Sequence, residues 1–314
     1  MLAVNFTAFG DPEVIHIVER PIPVPGAGEV VVKVAASTVN PTDLGMRSGR
    51  QAPMMTDIKP PYCTGVEFGG HVHAPGSGVA SFTVGQAVMG IVNSRRQAGG
   101  SHAQYVCVPA ASLARLAPTI GVIEAATIPM NGLTAKMVLE LLDIPRGGSV
   151  LVTGGPGATG GYAIELAKVM GLTVVADAKD TDVALLRKLG ADHIVPRVAE
   201  AAAAVRKIFP NGVDGLIDAA IIGNTVSGAV RDGGGAVTLR RAHPITDPRL
   251  RAHTVHVFDQ DTNAAALAWL ADLARDGKLT PRVAMRLPLS QAVDANRIVE
   301  RGGSRGRVVL TMFE

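Results

Sequence analysis

Gly155-Pro156-Gly157-Ala158-Thr159-Gly160 is the stretch of this chain whose residue types and spacing name a chemistry by themselves. It is a complete G-x-G-x-x-G. In such a turn the first glycine permits a tight reversal, and the second lets backbone N–H groups approach a pyrophosphate. The third lets the following helix pack close to the preceding strand. A helix opening there adds unpaired N–H donors and a partial positive charge, both suited to phosphates. Downstream stand Asp177, Ala178 and Lys179, and beyond them Arg197. An acid in this region accepts from a ribose 2′-hydroxyl, as in NAD binding, whereas a cation receives the 2′-phosphate of NADP. Both kinds of group are present, so residue types alone leave the nucleotide open.

The motif carries weight only between a strand and a helix, and the flanking sequence supplies both. Val150-Leu151-Val152 reads as a buried strand. Ala163, Ile164, Leu166, Ala167 and Met170 recur at helical spacing, and Leu172 to Ala176 reads as a second strand. Helices expected over 183–189, 199–209 and 225–230 alternate with strands at 194–195, 216–218 and 235–239. Such alternation implies a parallel sheet covered on both faces. Residues 1–117 have another texture: strands at 30–34 and 102–108 separated by Pro- and Gly-rich turns. A helical stretch from 124 to 142, broken near Pro129, joins the two regions. An apolar helix over 264–275 precedes β elements at 282–286 and 307–311, with a helix over 290–301 between them. The expected class is α/β: a β-rich unit, 1–117 and 277–314, with a doubly wound unit, 118–276, inserted in it.

Composition excludes several functions. Lys+Arg number 30 against 27 Asp+Glu, and aromatics make up 4% of residues. That is neither a basic footprint for nucleic acid nor a set of base-stacking platforms. No apolar run approaches the roughly 18 residues that span a bilayer, and no signal peptide is evident at Met1-Leu2-Ala3-Val4-Asn5. Cys63 and Cys107 are the two cysteines, too few for a disulfide framework or a Cys-rich zinc site. A cytoplasmic protein acting on a small molecule is expected.

Several blocks in order carry a resemblance over nearly the whole chain. They are Ala36-Ser37-Thr38-Val39-Asn40-Pro41-Thr42-Asp43 with Arg47-Ser48-Gly49, Thr64-Gly65-Val66-Glu67-Phe68-Gly69-Gly70, Val84-Gly85-Gln86-Ala87-Val88, Ala125-Ala126-Thr127-Ile128-Pro129 with Gly132-Leu133-Thr134-Ala135, Leu189-Gly190-Ala191-Asp192 and Gly306-Arg307-Val308-Val309-Leu310. Together they resemble the medium-chain dehydrogenase/reductases, and among these the zinc-independent NADPH:quinone oxidoreductase branch. The resemblance implies a GroES-like β domain and an inserted Rossmann domain, with the active site in the cleft between them. It also implies Asn40 and Thr127 near the nicotinamide and its ribose, Asn40 being the catalytic candidate. Counted forward from Gly171, Ala178 falls where NAD-dependent members carry their acid, and Lys179 falls where the quinone-reductase branch contacts the adenosine phosphate. Arg197 matches a second such position. Counted back from Gly190, Asp177 takes the acidic position instead. NADPH is the expected cofactor, with NADH kept open.

The resemblance also bears on metals. The alcohol dehydrogenase branch carries a cysteine where this chain has Asn40 to Thr42, and a histidine where it has Val66. Catalytic zinc needs three Cys, His or carboxylate ligands, and Glu67 has no such companions in the sequence; no metal is expected. The expected reaction is hydride transfer to a quinone or an α,β-unsaturated carbonyl. Tyrosines that line the relatives' substrate pocket are missing between Asp43 and Pro53. That departure keeps a second reading open, a nucleotide-binding sensor or scaffold with little turnover. Asp43 and Arg47, four apart, are expected to form a local ion pair. His243, His253 and His256, with Arg240, Arg241, Arg249 and Arg251, read as a charged solvated loop. Val255 to Phe258 is apolar and is expected to edge the nicotinamide pocket or to pair with its counterpart in a homodimer.

Overall fold

A computed structural model describes residues 1–240 and 243–313, and of Ala199 the backbone alone. Arg241, one of the charges assigned above to a solvated loop, lies outside the described residues. The chain forms two compact units: Met1–Met130 with Phe258–Asp276 and Pro281–Glu314, and Asn131–Val257 with Gly277–Thr280.

The second unit is built on six parallel strands. Their order across the sheet is His193–Pro196, Thr173–Ala178, Ser149–Thr153, Val213–Asp218, Val230–Thr238 and Arg251–Thr254. Numbered from Ser149–Thr153, this is the 3-2-1-4-5-6 order of a doubly wound sheet. Strand order reverses beside the Ser149–Thr153 strand, where ligands of such sheets bind. All five residues of that strand are buried, as expected for a strand covered on both faces. Helices Ala158–Val169, Val183–Lys188 and Ala201–Ile208 make the crossovers. The helix expected over 225–230 is a 3-10 turn, Gly223–Ala229. The Arg251–Thr254 strand forms one edge of the sheet, with all four residues exposed. It replaces part of the expected solvated loop, while Val255–Phe258 is not a strand: Val257–Gln260 is a helical turn.

The first unit carries a mainly antiparallel sheet centred on Glu29–Thr38, which pairs with Glu67–Pro75, Tyr105–Pro109 and Arg307–Thr311. Val30, Val32, Val34, Phe68, Val88, Val106, Val108 and Leu310 fill its core. The units divide elsewhere than at 118 and 276, for two packing reasons. Helix Val122–Ala125 lies on the Glu67–Pro75 strand so closely that a Cβ at Gly69 would stand 1.9 Å from the Val122 carbonyl oxygen. Helix Ala264–Arg275 packs against Leu113–Arg115, burying Leu267, Leu270 and Leu273. One helix was not expected from sequence, Pro41–Arg47. Its start is fixed by Pro41 at the first helical position and by a capping box between Asn40 and Asp43.

Candidate active site

The glycine fingerprint lies in the turn between strand Ser149–Thr153 and helix Ala158–Val169. The residue that reverses the chain is Gly154, one position before the motif, with φ of +64°. The tight-turn role expected of Gly155 therefore belongs to Gly154, a conformation that costs glycine nothing. Gly155 is instead small for packing: an added Cβ would meet Leu186 at 2.8 Å. Gly160 brings the helix onto the turn, since its Cβ would stand 2.3 Å from the Gly154 carbonyl oxygen. Gly157 is the helix N-cap and its N–H donates to Gly154 O at 2.9 Å, but no side chain caps the N–H groups that follow. Ala158, Thr159 and Gly160 thus open the helix with donors that its own carbonyls cannot satisfy. Thr159 Oγ1 donates to Asn131 Oδ1 at 2.7 Å, which ties the turn to helix Pro129–Leu142.

Asp177 and Lys179 take opposite positions. Asp177 is fully buried; its Oδ1 accepts from the Gly154 N–H at 2.7 Å, and Arg197 Nε stands 3.6 Å from its Oδ2. Burial pushes its carboxyl above the usual range, against the pull of that N–H and of Arg197. One carboxylate oxygen is held by the turn itself, while Oδ2 is buried with no hydrogen-bond partner among the described residues. Ala178 ends the strand, and Lys179, the next residue, is exposed. The strand thus ends on a small residue and is followed by an exposed cation.

Asn40 and Thr127 belong to the first unit. Thr127 Oγ1 donates to Glu124 O at 2.8 Å and its side chain is buried. Asn40 belongs to a buried polar cluster. Its Nδ2 donates to Thr38 Oγ1 at 3.0 Å and to Glu67 Oε1 at 3.4 Å, and its Oδ1 accepts from Arg307. Glu67, which has no ligand companions in sequence, is the hub. Its Oε1 accepts from Thr38 Oγ1 at 2.5 Å and pairs with Arg307 at 3.2 Å, while its Oε2 accepts from the Met130 N–H at 2.8 Å. Burial raises its carboxyl, opposed first by Arg307 and then by the bonds from Thr38, Met130 and Asn40. Beside it His102 bridges Thr64 Oγ1 at 2.9 Å and Thr38 O at 3.0 Å. The expected Asp43–Arg47 pair does not form. Asp43 accepts from the Asn40 and Gly65 N–H groups, each at 2.8 Å, and Arg47, 2% exposed, reaches Gly10 O and Glu300. A helix-capping carboxylate points back along the chain, away from a partner one turn ahead.

Zinc does not fit this donor set. Asn, Pro and Thr stand at 40–42 and Val at 66, and Glu67 is neutralised by a guanidinium. No group of three His, Cys, Asp or Glu suited to a metal occurs among the described residues. Arg307, joined to Glu67 from 240 positions away, had no sequence signal beyond its place in a matched block.

The family described as "Alcohol dehydrogenase GroES-like domain" matches residues 26–118, and "Zinc-binding dehydrogenase" matches residues 189–310. A 2-methylene-furan-3-one reductase of Solanum lycopersicum is 31% identical over 320 residues, covering 99% of this chain and 79% of its own. An NADPH-dependent alkenal/one oxidoreductase of Arabidopsis thaliana, chloroplastic, is 30% identical with the same coverage of each. The solved structure of a quinone oxidoreductase from Coxiella burnetii superposes with a TM-score of 0.86, at 28% identity, over 100% of this chain and 99% of that one.

Proposed function

This chain belongs to the medium-chain dehydrogenase/reductase family, in its quinone oxidoreductase-like branch, and on that premise we propose that it is an NADPH-dependent reductase of quinones or α,β-unsaturated carbonyls. The observation that carries this reading is the glycine turn. Gly154 reverses the chain, Gly160 seats the helix, and the helix N-cap supplies no side-chain hydrogen bond to the first N–H groups. A Cβ at Gly157 would already crowd Gly154 O, at 3.1 Å, so the cradle tolerates only bare backbone where a pyrophosphate approaches.

When bound, NADPH supplies a hydride from its nicotinamide. The residues of the chain bind and orient it. Backbone donors at Ala158, Thr159 and Gly160 hold the pyrophosphate. Lys179, exposed beside the small Ala178, receives the 2′-phosphate, with Arg197 as a second cation. Asp177 is buried and bonded to the Gly154 N–H, which makes Lys179 the exposed group beyond the strand end. Asn40 and Thr127 contact the nicotinamide half. Among the described residues no group of His, Cys, Asp or Glu suits a metal that would polarise the substrate, and the expected catalysis rests on positioning. The substrate is a small molecule. Among the described residues no helix is long and apolar enough to cross a membrane. Cys63 and Cys107 are free thiols, which fits a reducing compartment, the cytoplasm. A homodimer is the proposed assembly, because the exposed Arg251–Thr254 edge invites a second strand.

Three measurements test these proposals. Titration with NADPH and NADH should give tighter binding of NADPH, and NADPH should be consumed with members of a quinone and enone panel. Binding without turnover on any of them would favour a sensor or scaffold. Sedimentation should give a dimer; a monomer at micromolar concentration would remove the edge-strand role.

A further inference from the structure

Lys179 and Arg197 leave the parallel sheet side by side. Strand His193–Pro196 pairs with Thr173–Ala178, Val195 opposite Asp177 and Pro196 opposite Ala178. The next residue on each strand is therefore a cation, and neighbouring strands lie about 4.8 Å apart. Both cations keep extended backbone before a 3-10 turn begins, with φ −83° and ψ 158° at Lys179 and φ −80° and ψ 155° at Arg197. Lys179 is exposed, whereas Arg197 turns back on Asp177, its Nε 3.6 Å from Oδ2. That is too long for a hydrogen bond, and Oδ2 is buried with no hydrogen-bond partner among the described residues. Asp177 is fully buried, while the Arg197 side chain is 36% exposed. In this loose pair the carboxylate is fixed and the guanidinium is free to leave. Two charged groups act on Asp177: Arg197 favours its ionised form, and Asp218, on the strand beyond Ser149–Thr153, opposes it.

We propose that Asp177 is a specificity-determining residue for the nucleotide 2′-phosphate: it holds Arg197 in the free protein and releases it to the phosphate, while its Oδ2 takes a proton from solvent. The inference rests on the reading of Arg197 as a phosphate contact, and it goes further by tying that contact to a proton on Asp177. A phosphate beside Lys179 offers Arg197 about two negative charges and oxygens that suit a two-pronged guanidinium bond. Asp177 offers one oxygen beyond hydrogen-bond range. Once the guanidinium leaves, the carboxylate keeps only the Gly154 N–H, and Asp218 and the phosphate both repel its charge. A buried ion without a counter-charge neutralises. A nucleotide with a free 2′-hydroxyl gives Arg197 no such reason to leave, so the proton is taken up with the 2′-phosphate alone. Binding raises the affinity of Asp177 for a proton. By linkage, the affinity for the phosphate is highest where Asp177 is already protonated, and it falls as pH rises through the titration of Asp177. The second proton of the phosphate itself, lost near about pH 6, works in the opposite direction.

The test is calorimetric titration of the whole chain with 2′,5′-ADP and with 5′-AMP, which lacks the 2′-phosphate. In Asp177→Asn the amide oxygen can still accept from the Gly154 N–H, and the amide nitrogen, a donor, cannot hold a guanidinium. At neutral pH this variant should bind 2′,5′-ADP about fivefold tighter, the worth of a half-exposed ion pair, and 5′-AMP as before. A merely structural role for Asp177 predicts weaker binding of both ligands, and that result, or unchanged affinity for 2′,5′-ADP, would overturn the proposal. Arg197→Met should weaken 2′,5′-ADP and leave 5′-AMP unchanged. Adding Asp177→Asn to Arg197→Met should then bring no gain, because Asp177 acts through Arg197. An equal gain in both backgrounds would mean simple repulsion between carboxylate and phosphate and would also overturn it. If Arg197→Met has no effect on 2′,5′-ADP, the reading of Arg197 as a phosphate contact fails and the proposal with it. If Arg197→Met weakens 2′,5′-ADP while Asp177→Asn gains nothing, the proposal fails alone. Should Asp177→Asn not fold, a pH profile replaces it. The ratio of parent to Arg197→Met affinity for 2′,5′-ADP should fall as pH rises from about 5 to about 8, because ionised Asp177 draws Arg197 back. Ionisation of the phosphate alone makes that ratio grow, and a ratio that grows or stays level would refute the coupling.

Discussion

Gly160→Ala puts the glycine turn to a steric test whose sign can be worked out. The added carbon would stand 2.3 Å from the Gly154 oxygen, 2.8 Å from its carbonyl carbon and 2.9 Å from Gly155 Cα. All three atoms are backbone, so no rotamer relieves the overlap and the helix must move off the strand. Alanine inside a helix gains about 1 kcal/mol over glycine. Overpacking costs about 1–3 kcal/mol, and a clash of backbone with backbone belongs at the upper end. The net loss of stability is then about 2 kcal/mol. Moving the helix also misaligns the N–H donors at its start. Losing one charge-assisted bond, about 1.5–3 kcal/mol, lowers nucleotide affinity by roughly ten- to a hundredfold. Urea unfolding followed by circular dichroism reads the first effect, and fluorescence titration with NADPH reads the second. Gly228→Ala is the control, because its new carbon meets only Ala202 Cβ at 3.7 Å. A Gly160→Ala protein as stable as the parent and as tight for NADPH would refute the reasoning.

Three substitutions elsewhere in the second unit have outcomes that can be measured in the same way. Lys179→Ala should weaken NADPH by about tenfold, one charge-assisted contact, and leave NADH unchanged. Ala178→Asp should move preference toward NADH, and titration with both nucleotides checks each variant. Burial pushes the Asp214 carboxyl up, but bonds from Arg231 Nε at 2.8 Å and from the Ser149 N–H at 2.8 Å and Oγ at 3.0 Å outweigh it and hold it below the usual range. A depressed acid stabilises the fold above its unfolded pKa, about 3.9, and that stability is lost as pH falls through the lower folded value. Asp214→Asn should cost about 1 kcal/mol at neutral pH and flatten the acid limb of urea midpoint against pH; an unchanged limb would contradict the assignment.

What could be read in the sequence was what depends on local pattern. The strand, turn and helix around Gly155 to Gly160 follow from apolar runs and periodicity, and the parallel sheet from alternation. Helix Ala264–Arg275 has the bounds its apolar stripe announced, yet it packs with the first unit, since periodicity says which face is buried but not against what. Helix Pro41–Arg47 was hidden because Asn40-Pro41 reads equally as a turn; the capping bond from Asp43 decides it. Asp177 and Lys179 were equivalent as letters. The strand ends at Ala178, so Asp177 is buried within it while Lys179 lies past its end in solvent. Arg307 and Glu67 meet through sheet pairing between distant strands, which no local signal encodes.

The central claim is hydride transfer from NADPH to an electrophilic carbon. The direct measurement uses NADPH carrying deuterium at nicotinamide C4, mixed with the protein and an α,β-unsaturated ketone, with the product read by NMR. The account predicts deuterium at the β-carbon of a saturated ketone, and loss of that transfer in Gly160→Ala at subsaturating nucleotide. Tight NADPH binding with no label in any product, across enones and with quinones left unreduced, would contradict it.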